Sequence, residues 1–188
     1  MLKLLARIFL YLTSWEAVGT RVADEKAVLI AAPHTSNWDL VYMLAISCVL
    51  DAKVSWIGKH TMFWWPLGAA LRTLRGVPVR RDRPEQVVEQ IVRVFDEAET
   101  LSLAIAPEGT RSHTPYWKSG FYRIAKAAGV PIQLGFLDYA QRRGGFGPTF
   151  MPSDDVRADM DKIRAFFADK VARHPDQAGE IRLREEDE

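Results

Sequence analysis

Ala27-Val28-Leu29-Ile30-Ala31-Ala32-Pro33-His34-Thr35-Ser36-Asn37-Trp38-Asp39 is an apolar run that stops abruptly in polar residues. Six apolar residues without alternation, Ala27 to Ala32, are the pattern of a strand buried on both faces, as in a parallel sheet with helices on either side. Apolar residues at helical density follow from about Asn37 to Leu50. A buried strand followed by a helix predicts a βα unit. Polar groups at the end of such a strand occupy the place where open α/β sheets put their sites.

Working outward, Lys53 to Ile57 reads as a short strand. His60 to Leu74 has helical character but contains Pro66, which must kink or split it. Gly76 to Arg80 is strand-like. Asp82-Arg83-Pro84-Glu85 resembles a capped helix start with proline in the first turn, and Val87, Val88, Ile91, Val92 and Phe95 form that helix's apolar stripe. Leu101 to Ala106 reads as a second buried strand, with a loop from Pro107 to Lys118. Phe121, Ile124, Ala125 and Ala128 repeat at helical spacing until Gly129 and Pro131. Ile132 to Leu137 is a strand, and Gly144, Gly145 and Gly147 mark a turn into another near Phe146 to Phe150. Val156, Met160, Ile163, Phe167 and Val171 predict a last amphipathic helix. The alternation predicts the α/β class: one domain with a central mixed, mostly parallel sheet flanked by helices.

The chain has 188 residues, 48% hydrophobic and 26% charged, which suits one domain with one sizeable core. A net charge of +1, from 25 Lys plus Arg against 24 Asp plus Glu, argues against a nucleic-acid binder. The single cysteine, Cys48, precludes an intrachain disulfide and reads as a small buried hydrophobe, compatible with a reducing compartment. No run reaches the ~18–20 apolar residues of a membrane-spanning helix. In residues 1–20, Leu2, Leu4, Leu5, Ile8, Phe9 and Leu12 cover one face, Lys3 and Arg7 another, and Trp15 sits at the end. No small-residue cleavage site precedes Glu16, so a retained helix lying in the membrane interface is expected, with Lys3 and Arg7 meeting lipid phosphates. His60 to Gly68, with Phe63, Trp64 and Trp65, would share that contact face, giving a peripheral protein on the cytoplasmic side of a membrane. Packing of either segment on its own domain is the alternative. Residues 21–174 then form the folded domain, and 175–188, ending in Glu185-Glu186-Asp187-Glu188, a solvated acidic tail.

His34 and Asp39 are the first candidates for chemistry. Ser36-x-x-Asp39 fits a capping box, with Ser36 as N-cap, which turns the Asp39 carboxylate back toward His34. An alcohol is a poor nucleophile at neutral pH, and an imidazole can take its proton as it attacks. A carboxylate on the other ring nitrogen fixes the tautomer and stabilises the imidazolium. On these residues alone, a structural histidine beside a capping aspartate is the favoured reading. A metal site has no ligand spacing to support it.

Pro107-Glu108-Gly109-Thr110-Arg111-Ser112 is the second candidate. Gly109 permits a tight turn whose backbone N–H groups can face an anion, and Arg111 offers a planar fork suited to phosphate. Lys118 and Gly120 follow, and Arg80 with Arg81 would approach from the side. Glu108 is expected to orient Arg111 or to bind an acceptor hydroxyl. An ordinary turn stapled by Glu108 and Arg111 is the competing reading.

Taken in order, His34-x-x-x-x-Asp39, Gly76-Val77-Pro78-Val79-Arg80-Arg81, Pro107-Glu108-Gly109-Thr110-Arg111-Ser112 and Val130-Pro131-Ile132 resemble the four blocks of the glycerolipid acyltransferase family, which includes the bacterial 1-acylglycerol-3-phosphate acyltransferases. The similarity runs from about Ala27 to Leu137. It implies that family's fold and an acyl transfer from acyl-CoA or acyl-carrier protein to a hydroxyl of a lysophospholipid or glycerol-phosphate acceptor, with no metal or other cofactor. It implies His34 as base with Asp39 as its partner. Arg81, Glu108, Gly109, Thr110, Arg111 and Lys118 would hold the acceptor phosphate, and Val130, Pro131 and Ile132 would line the acyl or acceptor pocket. Arg80 stands where the second block usually has an acidic residue, and Pro33 where a polar residue is common. These departures leave the acceptor open. Hydrolysis by the same dyad and a non-catalytic lipid-binding module are the alternative functions.

Overall fold

The computed structural model describes residues 2–19, 26–80, 82 and 84–187. Helix α1 (Leu2–Leu12) and strand β1 (Glu16–Val18) come first, followed by β2 (Lys26–Ala32) and α2 (Trp38–Val49). Next are β3 (Val54–Lys59), α3 (Leu67–Thr73), β4 (Gly76–Val79) and α4 (Pro84–Glu97). The remainder is β5 (Leu101–Ile105), α5 (Gly120–Ala128), β6 (Ile132–Asp138), β7 (Arg143–Phe150) and α6 (Val156–Phe167). Among the described residues the strands form one seven-stranded sheet in the order β1-β7-β6-β2-β5-β3-β4. Strands β6, β2, β5, β3 and β4 run parallel, and β7 returns antiparallel to β6. The expected mixed, mostly parallel sheet flanked by helices is the observed architecture.

The apolar run quoted first becomes β2, the central strand, between β5 and β6. Its alternation sorts the two faces. Val28, Ile30 and Ala32 join a core with Ile91 and Phe95 of α4, Phe121 and Ile124 of α5, and Met160 and Ile163 of α6. Leu29 and Ala31 point the other way, toward Met43 of α2. α1 packs on α2 through Leu10, which is buried with Trp15, Tyr42 and Ile46. Gly129 ends α5 at φ 62°, a left-handed conformation that frees its N–H to reach the helix's last carbonyls.

Some local expectations hold and others differ from the structure. The segment 60–74 does split at Pro66, into a 3₁₀ turn at His60–Met62 and α3. α6 ends at Phe167, so Val171 lies beyond the helix and is substantially exposed. Cys48 is only partly buried, because its side of α2 is incompletely covered. Lys3 pairs with Asp51 at the surface, and Phe9, placed with the exposed leucines, instead packs against the Tyr42 ring at 5.3 Å. The segment 175–187 is not a solvated tail. Leu183 is 1% exposed, bridges Trp117 in parallel, and anchors a last turn whose Glu186 pairs with Arg164 at 2.7 Å. One buried leucine outweighs the solvation of the neighbouring carboxylates, which charge counting cannot anticipate. Arg81 and the 20/21 boundary lie outside the described residues, as does Arg83 of the expected α4 cap.

Candidate active site

His34 leaves the carboxyl end of β2 and lies in the loop before α2. Its Nδ1 stands 3.0 Å from Asp39 Oδ2. An ionised carboxylate only accepts, so Nδ1 carries the proton and Nε2 is left as the base. The same Oδ2 accepts from the backbone N–H groups of Thr35 at 3.0 Å and Ser36 at 2.9 Å. The carboxylate reaches back as the spacing predicts, although Asn37 rather than Ser36 holds the N-cap position. Ser36 instead accepts from the Trp38 N–H through Oγ, at 3.2 Å. Asp39 is 5% exposed. Burial pushes its carboxyl up, but hydrogen bonds from His34, Tyr139 and Ser36 and the charge of His34 outweigh it and hold the carboxyl below its ordinary range.

Glu108 takes a different role from either expected one. It is 4% exposed, and its Oε1 accepts from the backbone N–H of His34 at 2.9 Å. It therefore braces the His34 loop from the β5 side and makes no pair with Arg111. Burial is the main cause that pushes its carboxyl up to about 7, against the opposing hydrogen bonds from its own and the His34 backbone. Its Oε2 is buried and, among the described residues, has no hydrogen-bond partner. Arg111 donates instead to Asn37 Oδ1, so the two loops meet through an amide and a guanidinium.

A cleft of about 1270 Å³ opens over these strand ends and runs down both faces of the sheet. On the α2 face its apolar walls include Leu29, Ala31, Met43, Trp56 and Ala104; on the other they include Ile57, Val79, Val88, Ile91 and Phe121. Small residues at Ala31, Ala104 and Gly135 leave the α2 side open. His34 and Asp39 line the cleft, as do Gly109, Thr110, Arg111 and Lys118. Gly109 has φ +64°, and a Cβ there would come within 2.8 Å of the Lys118 side chain, so glycine lets this lysine fold over the loop. Thr110 Oγ1 accepts from the Ser112 N–H at 3.3 Å.

Arg123 and Arg184 also face the cleft, beside Glu185. Arg184 comes from the C-terminal turn expected to be solvent-exposed tail, and stacks over the Tyr116 ring at 5.6 Å. Arg80 is exposed and away from the cleft lining. Val130, Pro131 and Ile132 are likewise absent from the lining. They sit at the opposite end of the sheet, where Ile132 pairs with Val28 and is 0% exposed. That block belongs to the core, because it starts β6 rather than ending it.

Tyr139 was not legible as a site residue. Its hydroxyl donates to Asp39 Oδ1 at 2.6 Å from a position 100 residues away. The available signal was Asp138-Tyr139, a polar pair at the end of a buried strand, which is the reasoning that singled out His34.

The acyltransferase family model matches residues 16–133, more than half of the chain. This chain belongs to the acyltransferase family. The matched region covers β1 through the start of β6, and so includes His34, Asp39 and the Glu108 loop. Tyr139 and Arg184 of this family member lie beyond it. A 1-acyl-sn-glycerol-3-phosphate acyltransferase of Cocos nucifera is 32% identical over 121 residues, 61% of this chain and 38% of that protein. The chain therefore spans well under half the length of that relative. The crystal structure of the 1-acyl-sn-glycerophosphate (LPA) acyltransferase PlsC from Thermotoga maritima matches with a TM-score of 0.55 over 89% of this chain and 73% of that one. At 13% identity, that likeness establishes the fold alone.

Proposed function

We propose that the chain transfers a fatty acyl group from a thioester donor, acyl-CoA or acyl-carrier protein, to a hydroxyl of a lysophospholipid or glycerol-phosphate acceptor. The observation that carries this reading is a base, His34 with Asp39, set on the rim of an apolar cleft whose same rim holds Arg111 and Lys118. An acyl chain needs the apolar walls, and an acceptor phosphate needs the cations. His34 Nε2 takes the proton of the acceptor hydroxyl as its oxygen attacks the thioester carbonyl. The tetrahedral intermediate expels the thiolate, which recovers the proton from the imidazolium that Asp39 stabilises. Residue roles and the thioester donor follow the family resemblance. The likeness to the Cocos nucifera 1-acyl-sn-glycerol-3-phosphate acyltransferase favours lysophosphatidate as acceptor.

Association with the cytoplasmic face of a membrane is part of the same proposal. No described helix is long and apolar enough to cross a membrane. Leu2, Leu4, Leu5, Ile8 and Leu12 of α1 are exposed together, and Trp64 and Trp65 are 60% and 86% exposed. Phe63 turns inward from that segment, toward Trp56 and Gly58 on the sheet face that α2 covers. Exposed leucines and tryptophans of this kind suit the headgroup boundary of a bilayer.

The deciding experiment incubates the protein with labelled acyl-CoA or acyl-carrier protein and a panel of lysolipids, on vesicles, and identifies products by mass. An ester that requires acceptor, lost on His34→Ala, is expected. Free fatty acid formed without acceptor would establish hydrolysis instead, and lipid binding without turnover a binding module. Leu5→Ser, Ile8→Ser and Trp65→Ser together should weaken vesicle co-sedimentation; unchanged binding refutes the membrane face.

A further inference from the structure

Tyr139 follows β6 by one residue and lies outside the region matched to the family. Asp39 must keep one oxygen on His34 for the imidazole to stay oriented. Three donors gather on Oδ2: His34 Nδ1 and the N–H groups of Thr35 and Ser36. They hold one oxygen but leave the rotation of the carboxylate plane to whatever meets Oδ1. The Tyr139 hydroxyl meets it at 2.6 Å. Burial, then the hydrogen bond to Asp39 and its charge, push the phenol well above its ordinary range, so the hydroxyl keeps its proton and remains a donor.

Aromatic and cationic neighbours hold the ring. The Trp15 ring meets it edge-on at 4.9 Å and the Tyr42 ring at 5.9 Å, and these two stack on each other at 4.1 Å. The Arg173 guanidinium lies 5.7 Å from the ring centre. The Tyr139 N–H donates to the Val171 carbonyl at 2.9 Å, and the Asp138 carboxylate accepts from the N–H groups of Ala140 and Gln141. The next stretch of chain also supports the His34 loop, because the His174 N–H donates to Thr35 Oγ1 at 3.2 Å. A hydroxyl so placed is a fixed point against which a carboxylate can be aligned.

We infer that Tyr139 is a positioning residue of the transfer site, which locks the Asp39 carboxylate so that Oδ2 stays on His34 Nδ1 through the reaction. The inference rests on the proposed acyl transfer for its consequence, and on the geometry alone for the contact. The charged and titratable groups facing Asp39 are His34, the Tyr139 hydroxyl with Arg173 behind it, and Glu108 at longer range. Among these, only Tyr139 donates to Oδ1.

Tyr139→Phe removes the oxygen and keeps the ring contacts with Trp15, Tyr42 and Arg173. Measured on the full chain, kcat should fall about tenfold with KM within twofold. The Asp39 carboxyl should titrate at higher pH, followed through its side-chain carbon resonance, since it loses a donor that keeps it ionised. In an Asp39→Asn background the same substitution should have no further effect. A Tyr139→Phe enzyme with wild-type kcat and wild-type Asp39 titration overturns the inference, as does a loss that adds fully to that of Asp39→Asn. A change in melting temperature with turnover per folded molecule unchanged also overturns it, leaving a purely structural tyrosine. The His34 Nδ1 proton resonance provides a readout independent of turnover. It should shift or broaden in Tyr139→Phe, and identical spectra would sink the contact even if no donor and acceptor pair gives product. Absence of product with a shifted resonance would instead count against the acyl-transfer reading.

Discussion

Strand β6 has two ends that do different work. Val130 and Ile132 at its start are 5% and 0% exposed, and the Pro131 carbonyl accepts from the Val28 N–H at 2.9 Å. Asp138 and Tyr139 at its finish spend their polar groups on loop N–H groups and on Asp39. Both ends belong to one continuous strand beside β2, yet only the carboxyl end reaches the cleft. In a parallel sheet the helices cover the strand beginnings and diverge over the strand ends, so packing accumulates at one edge and chemistry at the other. A recognisable motif thus marks a place in the fold, and the end of the sheet it occupies decides whether it packs or reacts.

The sharpest way to break this contrast is Asp39→Asn. Turnover should fall by roughly 10²–10⁴-fold while the folded chain persists, because an amide no longer stabilises the imidazolium. A loss of less than tenfold, in steady-state kinetics on the soluble fraction, would remove the chemistry from the carboxyl ends. Ile132→Ala tests the opposite end. It should cost about 2–5 kcal/mol in urea unfolding, as other deletions in a closed core do, with kcat of the folded protein within twofold of wild type. The reverse outcome, lost turnover at constant stability, would return the Val130 block to the substrate pocket.

Glu108→Gln sharpens the comparison through pH. The buried carboxyl is raised from 4.5 to about 7 in the fold. Its contribution is therefore fully present below about 4.5 and is lost as pH rises through 7, because the unfolded chain ionises first. The full difference amounts to about 3 kcal/mol. Glutamine keeps an acceptor for the His34 N–H without the titration. The stability of Glu108→Gln relative to wild type should thus increase between pH 4.5 and 7, then level off. A constant gap across that window, by thermal denaturation, would show that Glu108 does not titrate there.

Much of this was legible in the chain itself. The unbroken apolar run Ala27–Ala32 and the mostly apolar run Leu101–Ala106 determined buried parallel strands, and stripes such as Val88, Ile91 and Phe95 determined the helices that cover them. The spacing of Ser36 and Asp39 suggested that the carboxylate turns back toward His34, and it does so although Asn37 takes the N-cap position. These are local matters of periodicity and turn chemistry. Only the tertiary structure decided that Glu108 would brace His34 across 74 residues, that Tyr139 would reach Asp39 across 100, and that Leu183 would draw an acidic segment into the core. Those contacts depend on β5 and β6 flanking β2 and on which ends of the strands face the cleft. Strand order is fixed by how all the apolar faces pack at once, and no local pattern carries it.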